Sequence, residues 1–158
     1  MILVTKEAHC LGDLLMKANY GGLDVDIAAV IGNHETLRSL VERFEIPFEL
    51  VSHEGLTREE HDQKMADAID AHQPDYVVLA KYMRVLTPEF VARFPNQIIN
   101  IHHSFLPSFK GARPYAQAHE RGVKLIGATA HYVTADLDEG PIIEQDVTRA
   151  GHEDSVSV

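Results

Sequence analysis

Short apolar runs alternate with amphipathic stretches along most of this chain. Apolar runs bounded by turn residues are typical of buried strands, whereas apolar residues at i, i+3, i+4 and i+7 are typical of helices that bury one face. Residues 76–80, which read YVVLA, form the clearest buried strand, and Leu11, Leu14, Leu15 and Ala18 form a clear helical stripe. The pattern therefore predicts an α/β protein.

The predicted elements follow one another in a regular order. Strands are expected over residues 1–4, 25–31, 47–51, 75–80, 97–102, 124–133 and 140–149. Helices are expected over residues 7–18, 34–44, 57–72, 88–94 and 114–121. This order indicates a doubly wound, mainly parallel sheet with helices on both faces. Because no helix separates the last two strands, the sheet is expected to become mixed at its C-terminal strands.

A local signal marks the start of the third predicted helix. Thr57 is a favourable N-cap residue, and Glu60 follows three residues later. This spacing predicts a capping box, in which the two side chains satisfy each other's free backbone N–H groups.

One predicted strand carries residues suited to chemistry. Residues 98–102 read IINIH, and successive side chains on a strand point to opposite faces. Asn100 and His102 therefore share one face, near the end of the strand, where ligands bind in open α/β sheets. An amide can bind a carbonyl oxygen and an imidazole can move a proton, so the pair suits acyl-group chemistry. In isolation, a purely structural role for His102 is the alternative.

Length and composition exclude several classes of protein. A chain of 158 residues predicts one domain with its own core. The formal charge of −10 and the pI of about 5.4 argue against general nucleic-acid binding, which needs a clustered basic surface. Cys10 is the only cysteine, which excludes an internal disulfide and fits a reducing cytosol. No apolar run approaches the length of a membrane span, and the ten histidines show no ligand spacing typical of a metal site.

Four motifs carry a resemblance to a known family. They are NIHHSFLP at residues 100–107, GARPY at 111–115, HYVT at 131–134 and LDEGPII at 137–143. In this order they resemble the formyl-tetrahydrofolate transferase family over essentially the whole chain, and its hydrolytic members most closely. The resemblance implies a Rossmann-like formyltransferase fold and hydrolysis of 10-formyltetrahydrofolate to formate and tetrahydrofolate. Such an enzyme would supply formate for purine synthesis and balance the one-carbon pools.

The resemblance also implies a catalytic trio, which falls on Asn100, His102 and Asp138. The amide and the imidazolium would bind the oxyanion that forms when water attacks the formyl carbon. Asp138 would stabilise the charged imidazole and either orient the water or take its proton, and the group that deprotonates water stays open. The alternative for Asp138 is an ordinary turn residue before glycine. Asp136 is expected to be solvated, and His103 to be structural.

Further residues are expected around the substrate. By resemblance, the folate-binding residues are Met83, Arg84, Val85, Leu86, Gly111, His131 and Thr134. The alternatives are a surface salt bridge for Arg84 and a packed strand residue for His131. The folate is implied as substrate, with no separate cofactor and no metal. The Leu106–Pro107 bond is expected to be cis by the same resemblance.

The segment after the first strand bears on the formyl acceptor. Family members that transfer formyl to glycinamide ribonucleotide carry a phosphate-binding loop there that is rich in Gly, Asn and Ser. Here residues 5–10 read TKEAHC, without glycine, and Glu7 would repel a phosphate. Water is therefore the favoured acceptor. Lys6 leaves formyl transfer to an amine as one alternative, and an inactive folate-binding module is another.

The resemblance extends to domain organisation and partners. Residues 1–158 are expected to form a formyltransferase-like catalytic domain without the N-terminal regulatory domain and the C-terminal helices of the family. The expected partner is a small-molecule folate in the cytoplasm, with no nucleic acid and no membrane. A homo-oligomer stays open.

Overall fold

The computed structural model describes residues 1–156, so the last two residues of the predicted 1–158 domain lie outside the described part. Two compact units divide the chain, the first being Met1–Ile98 and the second beginning at Ile99. No described helix combines the length and the apolar character that crossing a membrane requires.

The first unit alternates strands with helices. Its strands are β1 (Ile2–Val4), β2 (Val30–Gly32), β3 (Phe48–Leu50) and β4 (Val77–Ala80). Its helices are α1 (His9–Tyr20), α2 (Arg38–Glu42), α3 (Arg58–His72) and α4 (Pro88–Arg93), with a 3₁₀ turn at Glu35–Leu37. The strands pair in the order β3-β2-β1-β4, and every pair is parallel.

Burial follows the periodicity of the sequence in this unit. Leu11 and Leu15 lie one turn apart on α1 and are fully buried, as are Leu3 and Val4 on β1. Apolar side chains of α1 and of the strands are buried in one cluster, so the hydrophobic effect holds the helix against the strands. Gly21, in the left-handed region at φ 87°, caps the end of α1. The helix therefore extends two residues beyond its predicted end at residue 18.

Two predicted elements were wrong in part. The strand expected over 25–31 is confined to β2, because β1 offers only three residues for pairing and Val25 is exposed in a local turn. The helix expected over 34–44 begins as the 3₁₀ turn and is α-helical only over α2. Glu45 then adopts φ 58°, which breaks the helix.

The capping box at the start of α3 is confirmed. Thr57 Oγ1 accepts from the Glu60 N–H at 3.1 Å, and Glu60 Oε2 accepts from the Thr57 N–H at 2.8 Å. The following turn of α3 is tied to the start of α4, because buried Asp62 accepts from the Thr87 N–H at 2.7 Å.

The second unit is built on antiparallel strands. It contains β5 (Ile98–His102, whose first residue closes the first unit), α5 (Pro114–Glu120), β6 (Leu125–Tyr132) and β7 (Ile142–Arg149). β6 pairs antiparallel with β5 and with β7. Parallel pairs early and antiparallel pairs late in the chain confirm the predicted fold class, a mainly parallel sheet that becomes mixed.

Two carboxylates bond to the backbone of β7. The Gln145 N–H donates to Glu144 Oε1 at 2.9 Å, and the Val147 N–H donates to Asp146 Oδ1 at 2.8 Å. Each of these β7 amides therefore has a side-chain acceptor from the preceding residue.

Candidate active site

The register between β5 and β6 places polar side chains on one face. Asn100 lies opposite His131, and His102 lies opposite Thr129. Residues directly opposite on antiparallel strands share a face, and so do residues two apart on one strand. The predicted pair Asn100 and His102 therefore shares its face with His131 and Thr129, both of which are buried.

Asp138 reaches this polar face from the loop between β6 and β7. Its Oδ1 lies 3.4 Å from Nδ1 of His102, and its Oδ2 accepts from the Gly111 N–H at 3.0 Å. The side chain is only 8% exposed, whereas Asp136 is exposed. Asp138 is thus a buried carboxylate with two partners and not an ordinary solvated turn residue.

Glycine holds this loop against β6. A Cβ added at Gly140 would lie 1.6 Å from the carbonyl oxygen of Tyr132, so no side chain fits there. Asp138 itself adopts φ 56°. An ion pair of 2.6 Å between Lys110 and Glu139 also joins the loop to the segment before α5. These contacts fix the position from which Asp138 faces His102.

Backbone carbonyls orient both buried imidazoles. His102 Nε2 lies 3.0 Å from the Phe109 carbonyl oxygen, and His131 Nδ1 lies 3.0 Å from the Tyr132 carbonyl oxygen. A carbonyl only accepts, so each of these nitrogens carries a proton and donates. The opposite nitrogen of each ring faces Asp138 Oδ1, at 3.4 Å for His102 and 4.0 Å for His131.

A hydroxyl that the motifs do not include holds the turn after β5. Thr129 Oγ1 donates to the Ser104 carbonyl at 2.7 Å and accepts from the Leu106 N–H at 3.0 Å. Gln145 Nε2 donates both to that hydroxyl, at 3.0 Å, and to the Leu106 carbonyl, at 2.9 Å. The predicted cis bond between Leu106 and Pro107 is present in this turn.

The remaining residues predicted in this unit lie around these contacts. Gly111, at φ 82°, uses its N–H to bind Asp138. The Thr134 hydroxyl donates to the Asp136 carbonyl at 3.2 Å, within the loop that carries Asp138. His103 packs its ring against Tyr115, with 5.8 Å between ring centroids.

An apolar cavity of about 390 Å³ lies beside the turn that follows β5. Phe105, Tyr115 and Leu125 line it, whereas Asn100, His102 and Asp138 do not. The cavity and the polar face that carries the predicted trio are therefore distinct features of the second unit.

Residues 83–86, predicted to bind the folate, belong to the first unit and follow β4. Met83 and Val85 are exposed, and the Met83 N–H donates to Thr5 Oγ1 at 3.0 Å. Nε of Arg84 is buried and has no hydrogen-bond partner within residues 1–156. Leu86 is half-buried. Over the same range, no group of three or more His, Cys, Asp or Glu side chains could hold a metal ion.

Comparison with known proteins identifies the family. The family described as formyl transferase matches residues 1–158, and the chain belongs to it. Within this family, the chain is 87% identical over 152 residues to the formyltetrahydrofolate deformylase of Escherichia coli K12. The matched residues make up 96% of this chain and 54% of that protein. The resemblance inferred from the motifs is thereby confirmed. The chain spans about half the length of the curated relatives it matches.

Solved structures agree with this assignment. A formyltetrahydrofolate deformylase from Pseudomonas syringae is similar with a TM-score of 0.93 and 52% identity, covering 99% of this chain and 52% of that chain. A glycinamide ribonucleotide transformylase from Symbiobacterium toebii has the same TM-score at 33% identity, covering 99% of this chain and 75% of that chain. The fold is therefore common to relatives of both names.

Proposed function

We propose that the protein hydrolyses 10-formyltetrahydrofolate to formate and tetrahydrofolate, with the folate as substrate and no separate cofactor. The similarity to proteins named formyltetrahydrofolate deformylase supports this substrate and reaction. The observation that carries the proposal is the 3.4 Å approach of Asp138 to His102, on a face that also carries Asn100. We assign the protein to the cytoplasm and to the supply of formate for purine synthesis.

In the proposed reaction, the oxygen of water attacks the formyl carbon. The π electrons of the carbonyl move to its oxygen, which the Asn100 amide and the His102 Nε2–H stabilise. The Phe109 carbonyl now occupies that Nε2–H at 3.0 Å, so the formyl oxygen takes over its place as acceptor. Asp138 receives one proton of the water, since its carboxylate lies 3.4 Å from the imidazole that holds the formyl oxygen and can act as a base there.

Collapse of the tetrahedral intermediate completes the hydrolysis. The carbonyl re-forms, the bond between carbon and nitrogen breaks, and its electron pair stays on the folate nitrogen. That nitrogen takes a proton from the His102 and Asp138 pair, which yields tetrahydrofolate. The carbon leaves as formic acid, which loses its proton to solvent near neutral pH.

The folate contacts are assigned to Met83, Arg84, Val85 and Leu86, together with Gly111, His131 and Thr134. The buried and unpartnered Nε of Arg84 supports this assignment, because a buried donor without a partner is costly unless a ligand or water satisfies it. Met83 and Val85 supply exposed apolar surface for a flat pterin ring.

Formyl transfer to an amine is the second candidate, since a glycinamide ribonucleotide transformylase shares the fold. The segment after β1 speaks against it. The Glu7 carboxylate lies 3.8 Å from Lys81 Nζ and 3.6 Å from the His9 ring. The Lys81 cation thus already faces a carboxylate, which disfavours a phosphate at this position.

One assay separates these functions. The purified full chain is incubated with 10-formyltetrahydrofolate, with and without glycinamide ribonucleotide, and free formate is measured. Hydrolysis predicts formate release without the amine. Turnover only in the presence of the amine would make the protein a transferase, and folate binding without turnover in either case would make it a binding module.

A further inference from the structure

A second imidazole faces the proposed catalytic carboxylate. His131 is 2% exposed, and its Nε2 has no hydrogen-bond partner within residues 1–156. This nitrogen points at Asp138 Oδ1 from 4.0 Å. A buried polar atom without a partner costs free energy of folding, so its position beside a carboxylate indicates a role in the site.

The partners of the two rings restrict where protons can lie. The Phe109 and Tyr132 carbonyls hold a proton on the far nitrogen of His102 and of His131. A neutral ring therefore presents a lone pair to Asp138, and only a protonated ring presents a donor. Oδ2 of Asp138 is bonded to Gly111, and both rings approach the other oxygen, Oδ1.

Charge in a buried site favours one shared proton. With one imidazolium beside the carboxylate, the three groups are neutral together. With none or two, a net charge is left in a poorly solvated place, which costs free energy. The proton can lie on Nδ1 of His102 or on Nε2 of His131, and Oδ1 of Asp138 lies next to both.

We infer that His131 is a positioning residue for the reaction: its Nε2 holds Asp138 Oδ1, the oxygen that His102 also approaches, and the two rings share one proton through it. This inference rests on the proposed hydrolysis, in which Asp138 acts on water. When the proton moves, an N–H bond breaks on one ring and forms on the other, with Asp138 Oδ1 as the relay and no net change. The role goes beyond the substrate contact assigned to His131 from the family resemblance.

The test compares a side chain that can donate to Asp138 with one that cannot. In the full chain, His131→Leu keeps an apolar residue of similar size, and His131→Gln keeps an N–H at similar reach. His119, exposed on α5, supplies the controls His119→Leu and His119→Gln. Formate release gives kcat and KM, and ¹⁵N NMR of the ring nitrogens reports on His102.

The expected result is a fall in kcat of about 10–100-fold for H131L, since a misplaced catalytic group can cost about 10²-fold, with a smaller change in KM. H131Q should recover part of this loss, and the ring signals of His102 should shift in H131L but not in H119L. A kcat of H131L equal to that of the parent protein, H131Q no better than H131L, or unmoved His102 signals would each overturn the inference. Should H131L fail to fold, H131M replaces it.

The NMR measurement also separates two kinds of failure. If the parent protein releases no formate, the proposed function fails, yet the spectrum still tests the arrangement of His131. The Nδ1 of His131 should carry a proton, because it donates to the Tyr132 carbonyl. A ring with a bare Nδ1 would overturn the inference independently of activity.

Discussion

Asp138 and His102 approach within 3.4 Å, although one lies in the loop after β6 and the other ends β5. Both side chains are buried, so their approach is not a surface contact. The approach depends on the loop contacts made by Gly140 and on the Gly111 N–H. Single substitutions test the catalytic pair and the position of the loop.

Replacing Asp138 by Asn should abolish most of the activity. The amide keeps the size of the side chain but cannot take a proton, and general acid–base catalysis contributes about 10²–10⁴-fold in rate. Formate release from 10-formyltetrahydrofolate measures the loss. Asp136→Asn, two residues away and exposed, should stay close to the parent rate. Equal activity of the two variants would remove Asp138 from the mechanism.

Asn100→Ala should lower kcat more than it raises KM. The amide is proposed to bind the oxyanion, which exists in the transition state and not in the substrate, and losing one such donor costs about 10²–10³-fold. Steady-state kinetics of formate release separate the two constants. A rise in KM with kcat unchanged would instead make Asn100 a substrate-binding residue.

Gly140→Ala should displace the loop that carries Asp138. The added Cβ would meet the Tyr132 carbonyl oxygen at 1.6 Å, so the backbone must move. Both activity and the free energy of unfolding are expected to fall. Gly12→Ala is the control, since nothing lies within 4 Å of a Cβ added in α1, and alanine favours a helix by about 0.8–1 kcal/mol. A Gly140→Ala variant with full activity would contradict the described packing.

Thr129→Val should destabilise the protein while leaving the core volume unchanged. Valine removes the hydroxyl that bonds to the Ser104 carbonyl and the Leu106 N–H, and each buried group left unpaired costs about 1–3 kcal/mol. Urea denaturation measures the free energy of unfolding. Thr148→Val, exposed on β7, should have little effect. Similar stability of both variants would show that the Thr129 hydroxyl contributes nothing net.

Stability should fall as pH is lowered, in part through His61. Burial lowers the pKa of His61 below its ordinary value of 6.5, while its Nε2 bonds to the Val51 carbonyl at 2.9 Å. Below about pH 6.5 the unfolded chain takes up this proton more readily than the folded protein, so acid favours unfolding. Urea denaturation at several pH values measures the slope. His61→Phe should make it shallower, and an unchanged slope would contradict this account.

The polar face of the second unit was only partly readable from the sequence. Alternation along 98–102 placed Asn100 and His102 on one side, because strand periodicity is local. Asp138 was found through the family motifs, since nothing local in the loop reveals a partner on another strand. Thr129 and Gln145 were missed because their bonds depend on the cross-strand register. The polar residues at 129 and 131, two apart on a strand, were the available signal.

The elements that failed did so for tertiary reasons. The apolar stretch at 25–31 satisfies the local criteria for a strand, yet pairing with β1 limits the strand to three residues. By contrast, the capping box at Thr57 and Glu60 was predictable because its partners lie three residues apart. The side-chain pattern could not predict that the Phe109 carbonyl accepts from His102, since this acceptor belongs to the backbone.

The carboxylates on β7 affect whether this strand can pair with strands of other molecules. Among the described strands β7 pairs only with β6, so its other edge is open. Open strand edges can pair with strands of other molecules, and proteins prevent this with charged side chains. Glu144 and Asp146 already bond to the amides of Gln145 and Val147. A strand from another molecule would have to displace both carboxylates before it could hydrogen-bond to those amides. This disfavours edge-to-edge aggregation at high protein concentration.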